Sequence, residues 1–88
     1  MAPYKVILDG KAANLDLLEM PDSSRKQVIR AIHERLTVDP AGLGKPLTGD
    51  FKGLYRLRVG DWRIIYKIDG EHVIIRNIRL RRDVYKRR

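Results

Sequence analysis

The stretch Tyr55-Arg56-Leu57-Arg58-Val59-Gly60-Asp61-Trp62-Arg63-Ile64-Ile65-Tyr66 follows a two-residue period through Val59 and then turns at Gly60-Asp61. Successive side chains of a strand point to opposite faces. Tyr55, Leu57 and Val59 therefore share one face, and Arg56 and Arg58 share the other. Gly60-Asp61 has the composition of a tight hairpin turn, which makes Trp62 to Ile68 a second strand. Asp69-Gly70 predicts a type I′ turn into a third strand from His72 to Arg79. Arg63 and Lys67 have the parity to join Arg56 and Arg58, whereas Arg76 and Arg79 are expected on opposite faces. The result is an antiparallel meander with one apolar and one basic face.

Upstream of this meander the period is helical. Lys11 to Met20 predicts a helix with its apolar stripe on Leu15 and Leu18, stopped by Pro21. Asp22-Ser23-Ser24 supplies N-cap candidates, and Ser24 with Gln27 fits a capping box. Val28, Ile29, Ile32 and Leu36 form the stripe of a second helix ending near Val38. Tyr4 to Leu8 reads as an opening strand, and Asp39 to Gly49 as a loop. Beyond the meander, Arg81 to Arg88 is a short basic helix or tail. The expected architecture is a single α+β domain over residues 1–88: an N-terminal strand and a two-helix hairpin packed on a small antiparallel sheet.

At 88 residues the chain buries only ~60% of the surface its unfolded form exposes, so its core is modest. The longest aliphatic runs, Val6-Ile7-Leu8 and Val73-Ile74-Ile75, are too short for a membrane-spanning helix or a signal-peptide core. Cysteine is absent, which excludes disulfides, thiolate catalysis and Cys-type zinc sites. The expectation is a cytoplasmic protein with no membrane partner.

Nineteen Lys and Arg against eleven Asp and Glu give a net charge of +8, and the pI near 10.2 lies in the range of nucleic-acid-binding domains. Residues 1–50 carry seven basic and seven acidic groups, so the whole excess lies in residues 51–88. Acidic partners are scarce in that half. Clustered like charges on a strand face repel unless an anion compensates them, which points to a polyanion as ligand.

Two other chemistries are weak here. Gly42-Leu43-Gly44-Lys45-Pro46 is not a phosphate loop, because Asp39 stands at the first glycine position and Pro46 replaces the Ser or Thr. It reads as a flexible connector. His33 and His72 are isolated, with no second ligand at metal-binding spacing, so no metal or cofactor is expected. Arginine and tyrosine can still serve RNA chemistry, because RNA brings its own nucleophile in the 2′-OH. The protein then has to orient that group, stabilise charge on the phosphoryl oxygens and move protons. DNA lacks the hydroxyl, so the same groups would bind it without cleaving it.

Residues 55–66 resemble the Y-R-x-R-x-G-x-[WY]-R-[VIL]-[VIL]-Y signature of the RelE/ParE toxin superfamily. Ile78-Arg79-Leu80-Arg81-Arg82-Asp83-Val84-Tyr85 is similar to its I-G-H-R-[RK]-[ED]-V-Y ending. Gly44-Lys45-Pro46-Leu47, the Asp69-Gly70 turn and the helix hairpin also fit. The resemblance implies a RelE-like fold and the toxin of a type II toxin–antitoxin system. In the RelE-like branch, which is favoured here, that toxin is a ribosome-dependent, metal-independent mRNA endonuclease inhibiting translation. In the ParE-like branch it poisons DNA gyrase.

By the same resemblance the catalytic set is Arg63, Arg81, Tyr85 and Arg56. Arg63 would contact the scissile phosphate. Tyr85 would stack on a base or assist the 2′-OH, with packing of its ring on the sheet as the structural alternative. Arg58, Lys67, Arg79, Arg82 and Lys52 would bind RNA, and Arg79 replaces Arg81 if the ending is aligned without a gap. Leu80 stands where many members have histidine, and Arg56 stands where a lysine base occurs. Arg63 is expected to be exposed and therefore nearly dispensable for stability. The implied partners are the ribosome with its mRNA, promoter DNA through the toxin–antitoxin complex, and an acidic, extended or helical antitoxin. That antitoxin would cover the basic half and displace or trap the Arg81–Arg88 tail.

Overall fold

The computed structural model describes residues 3–80, so Arg81, Arg82 and Tyr85 and the expected basic tail lie outside the described residues. Strand β1 (Lys5–Leu8) leads into helix α1 (Gly10–Glu19) and then α2 (Asp22–Ala31), which widens into a π turn at Ile32–Leu36. Helix α3 (Pro40–Leu43), the two-residue strand β2 (Lys45–Pro46) and a 3₁₀ turn (Gly49–Phe51) connect to β3 (Tyr55–Val59), β4 (Trp62–Asp69) and β5 (His72–Leu80).

The sheet order is β1-β5-β4-β3-β2. The β3-β4-β5 meander is antiparallel, and β1 runs parallel to β5 as the sheet edge, with Val6 opposite Val73. Both hairpin loops hold two residues, Gly60-Asp61 between Val59 and Trp62, and Gly70-Glu71 between Asp69 and His72. The second loop differs from the expected I′ turn. Gly70 comes first, at φ 62°, and no non-glycine residue has positive φ among the described residues. A positive φ at the first loop position alone is the II′ pattern.

Tyr66, Ile64, Ile75, Ile78 and Val73 of the sheet and Val28 and Leu36 of the second helix are fully buried together. The stripe expected on α1 is corrected. Leu15 is 45% and Leu18 69% exposed, while Ala13, Asp16 and Met20 are buried. The helix turns its small and polar residues inward because its neighbour is the edge of β5, where an acceptor is needed more than a bulky side chain. On the second helix Val28 and Leu36 are buried as expected, but Ile29 is 47% exposed.

The expected capping box is absent. Pro21 precedes the first residue of α2, so Ser24 already lies inside the helix, and the N-terminus has no side-chain cap. The corner is held instead by Arg25. It donates from Nε to the Leu17 carbonyl at 3.0 Å and from Nη2 to the Met20 carbonyl at 2.8 Å, while Nη1 pairs with Asp22 at 2.8 Å. Charge on a donor near the last turn satisfies carbonyls that α1 leaves unpaired.

The 39–49 segment is also more ordered than a flexible connector. The Asp39 carboxylate accepts from the Gly42 amide at 3.0 Å, capping α3, and the buried Tyr66 hydroxyl donates to the Pro40 carbonyl at 2.7 Å. Gly44 is required there. A Cβ at that position would lie 1.7 Å from the Tyr66 hydroxyl. Tyr66 also stacks on Tyr55, with centroids 5.6 Å apart, and burial pushes its phenol well above the ordinary value of 10.

Candidate nucleic-acid interface

The face of the sheet turned away from the helices carries Arg56, Arg58, Arg63, Ile65, Asn77 and Arg79. Arg58 lies opposite Arg63, and Arg63 opposite Arg79, so three arginines form one row across three strands. The next row is Arg56, Ile65 and Asn77. With strands ~4.8 Å apart, the outer Cα atoms of a row are ~10 Å apart. Arg56 and Arg58 thus join Arg63 as expected. Lys67 keeps the same parity but pairs with Ile74, one row beyond Ile65. Lys52 is exposed at the end of the 3₁₀ turn, beside a cleft shared with Pro46, Thr48 and Tyr55.

Arg63 is only 5% exposed, which corrects the expectation of a solvent-facing side chain. Its Nη1 donates to the Gly60 carbonyl at 3.1 Å and the Trp62 carbonyl at 3.0 Å. One acceptor lies in the turn that opens β4 and the other on the first residue of β4, so the chain segment that positions the arginine backbone also fixes its guanidinium plane.

The two arginines of β5 have acidic partners from the N-terminal half. Asp16 of α1 pairs with Arg79, and its second oxygen accepts from the Ile78 amide at 2.9 Å. Asp9 pairs with Arg76 at 3.3 Å. The scarcity of acids after residue 51 is therefore relieved by the fold, which packs the neutral half beside the basic one. Arg76 and Arg79 are also not on opposite faces. A β-bulge at the Ile65/Tyr66 step of β4 inserts Arg76 into β5, and Arg76, Asn77 and Ile65 line one cleft. The extra residue resets the parity.

Arg58 remains exposed. It lines a cleft of about 280 Å³ with Gln27, Arg30, Glu34 and Arg35 of the second helix and its π turn. The basic surface therefore continues from the sheet onto a helix whose half of the chain is neutral overall. Nothing in the sequence marks Arg30 and Arg35, because their proximity to Arg58 depends on how the hairpin packs. Asp16 did leave a signal: it shares the inward phase of α1 with Ala13 and Met20. His33 and His72 are exposed, and among the described residues no group of three or more acidic or histidine side chains could hold a metal.

Residues 10–85 match the family described as ParE toxin of type II toxin-antitoxin system, parDE. The chain is 37% identical over 70 residues to Toxin RelE of Mycobacterium tuberculosis (strain ATCC 25618 / H37Rv), covering 80% of this chain and 71% of that protein. It is 34% identical over 87 residues to Toxin RelG of the same organism, covering 97% and 99%. Among solved structures, a chain of the toxin–antitoxin complex RelBE2 from Mycobacterium tuberculosis superposes with a TM-score of 0.83 at 30% identity, covering 94% of this chain and 97% of that one. A chain of the RelB–RelE antitoxin–toxin complex from Methanococcus jannaschii gives 0.68 at 26% identity, covering 90% and 94%.

Proposed function

The chain belongs to the RelE/ParE family of type II toxin–antitoxin toxins, and from that premise we propose that it is an endoribonuclease cutting mRNA on the ribosome. The observation that carries this reading is the row Arg58–Arg63–Arg79, with the Arg63 guanidinium anchored by two backbone carbonyls. A pre-aimed fork stabilises charge on phosphoryl oxygens without reorganising during the reaction.

In the proposed reaction the RNA 2′-oxygen attacks the adjacent phosphorus and the P–O5′ bond breaks. The products are a 2′,3′-cyclic phosphate and a 5′-hydroxyl, with the 2′-OH proton delivered to the departing oxygen. Arg63 and Arg56 would neutralise the developing negative charge. Arginine stays protonated in proteins, so Arg56 acts by charge and not as a base. Arg63 is covered in the free chain, so contact with a phosphate requires a local opening of the groups packed over it. Arg81 and Tyr85 complete the proposed catalytic set, while Arg58, Lys67, Arg79, Arg82 and Lys52 would hold the RNA backbone.

The RelB–RelE complex from Methanococcus jannaschii pairs an antitoxin with its toxin, which supports a cognate antitoxin for this chain, and the basic half of this chain calls for an acidic one. Binding of promoter DNA would then occur through the pair. A cytoplasmic location follows from the ribosomal target.

Induced expression of the intact chain, followed by primer extension on a translated message, tests the proposal. Growth arrest with cuts inside codons is expected, and Arg63→Ala should abolish both. If Arg63→Ala remains fully toxic, the ribonuclease reading fails. A DNA-damage response without RNA cuts would instead favour the gyrase-directed reading, to which the ParE description of the family lends weight. Tyr85→Phe keeps the ring and removes the hydroxyl, so undiminished toxicity would exclude a proton-transfer role for that group.

A further inference from the structure

Asp16 is a buried carboxylate that the proposed reaction does not use, and its two oxygens are divided between consecutive residues of β5. One accepts from the Ile78 amide at 2.9 Å and the other from Nη1 of Arg79. The Asp16 side chain is 6% exposed, whereas that of Arg79 is 44% exposed. A carboxylate held by a backbone amide cannot follow a mobile partner, so it dictates where the Arg79 guanidinium lies. Charge-assisted contacts of this kind are short and directional, and exclusion of water around the carboxylate strengthens them.

Helix α1 packs along β5, and its acids match the strand in spacing. Asp9, at the helix N-cap, and Asp16 lie ~10 Å apart along the helix. Arg76 and Arg79 lie ~10 Å apart along the strand. The two pairs are nevertheless unequal. Asp9 meets Nε of Arg76 at 3.3 Å with both side chains about half exposed, an arrangement in which solvent leaves little net attraction. Among the described residues, only the Asp16 carboxylate of the two also accepts from a β5 amide.

Arg79 stands directly opposite Arg63. Cα atoms so placed are ~5 Å apart, close enough for both forks to reach one phosphate group. The charge of Arg63 would push an unrestrained Arg79 fork aside. Asp16 offsets that repulsion and engages Nη1, leaving the remaining donors of the fork for a ligand. We propose that Asp16 is a positioning residue, which holds Arg79 beside Arg63 so that both guanidinium groups meet the reacting phosphate. The assignment rests on the ribonuclease reading above and concerns a residue outside the catalytic and RNA-binding sets.

The test is single-turnover cleavage by the full chain on programmed ribosomes over a range of toxin concentrations, which separates the maximal rate from the half-saturating concentration. In Asp16→Asn the one carbonyl oxygen can serve Ile78, and the amide NH₂ then faces Arg79 donor to donor. The maximal rate should fall roughly tenfold to a hundredfold, the loss expected when a reacting group is misplaced by about an ångström. The half-saturating concentration should not rise, because the face gains positive charge. Asp9→Asn adds the same charge and should keep the wild-type maximal rate. In an Arg79→Ala background, Asp16→Asn should cost no further rate, since the two residues act as one unit. Arg79→Lys keeps the charge and leaves the Ile78 contact untouched, so it guards against an Asp16 variant that fails to fold. Losing the planar fork should lower its maximal rate without raising the half-saturating concentration. The assignment is overturned if Asp16→Asn keeps the wild-type maximal rate, if its loss persists in full in the Arg79→Ala background, or if Arg79→Lys cuts at full rate. The ribonuclease reading stands in each of those cases. A wild type that cuts no message overturns both.

Discussion

Asp16 and Arg79, 63 residues apart in sequence, form an ion pair that ties α1 to the outer end of β5. Strand β1 covers β5 only as far as Ile75. Beyond that point the backbone of β5 would present an unpaired edge, and the second Asp16 oxygen meets it by accepting from Ile78. One buried carboxylate thus closes a sheet edge and offsets a charge in the arginine row, where Arg79 faces Arg63.

Asp16→Ala should therefore destabilise the domain by about 2–3 kcal/mol, because it strands a buried amide and an arginine together. A loss of that size lowers Tm by roughly 10 °C or more in a domain this small. Asp16→Asn keeps an acceptor for Ile78 and should cost less. Thermal melts of the two variants check this, and equal melts would show that the Ile78 contact contributes nothing.

Arg63→Ala should reduce cleavage by ~100–1,000-fold, the loss seen when one positioned donor to a transition-state oxyanion is removed. It should also lower stability by about 1–3 kcal/mol, since the Arg63 hydrogen bonds to Gly60 and Trp62 are made by a buried side chain. Activity must then be measured well below the variant's melting point. An unchanged melt would contradict the burial of Arg63.

Arg58 and Arg35 are exposed on the rim of one cleft, so their removal should leave the melt nearly unchanged. Each substitution by alanine should weaken binding of single-stranded RNA uniformly across sequences. Each lost phosphate contact should reduce the slope of log affinity against log salt by ~0.7. Titrations at several salt concentrations measure this, and a sequence-dependent loss would count against a backbone role.

Tyr66→Phe removes the bond to the Pro40 carbonyl and leaves that oxygen unmet, costing about 1–3 kcal/mol. It should also change the alkaline limit of stability. The Tyr66 phenol ionises above its ordinary value in the folded chain because it is buried. Above pH ~10 the unfolded chain therefore holds fewer protons than the folded one, and stability falls by up to ~1.4 kcal/mol per pH unit until the folded value is passed. Below pH ~10 the residue contributes no slope. Denaturant melts between pH 8 and ~11.5 should show a shallower decline in the phenylalanine variant.

The sequence alone determined the elements whose residues talk to near neighbours. Tyr55 to Val59 alternate cleanly, and the two-residue turns leave one way to pair, so the meander and the shared face of Arg56, Arg58 and Arg63 follow from local chemistry. The existence of two helices was legible from Pro21 and from the Val28–Leu36 stripe, whereas the buried face of α1 was not. Only the tertiary structure decided how these pieces answer one another's charges and vacant hydrogen-bonding groups. The bulge that carries Arg76 onto the face of Arg79, the burial of Arg63, the inward turn of Asp16 and the seating of Gly44 against Tyr66 all depend on contacts between distant segments. No periodicity encodes such contacts. A buried polar group is stable only beside its partner, and which residue becomes that partner is fixed when the layers pack.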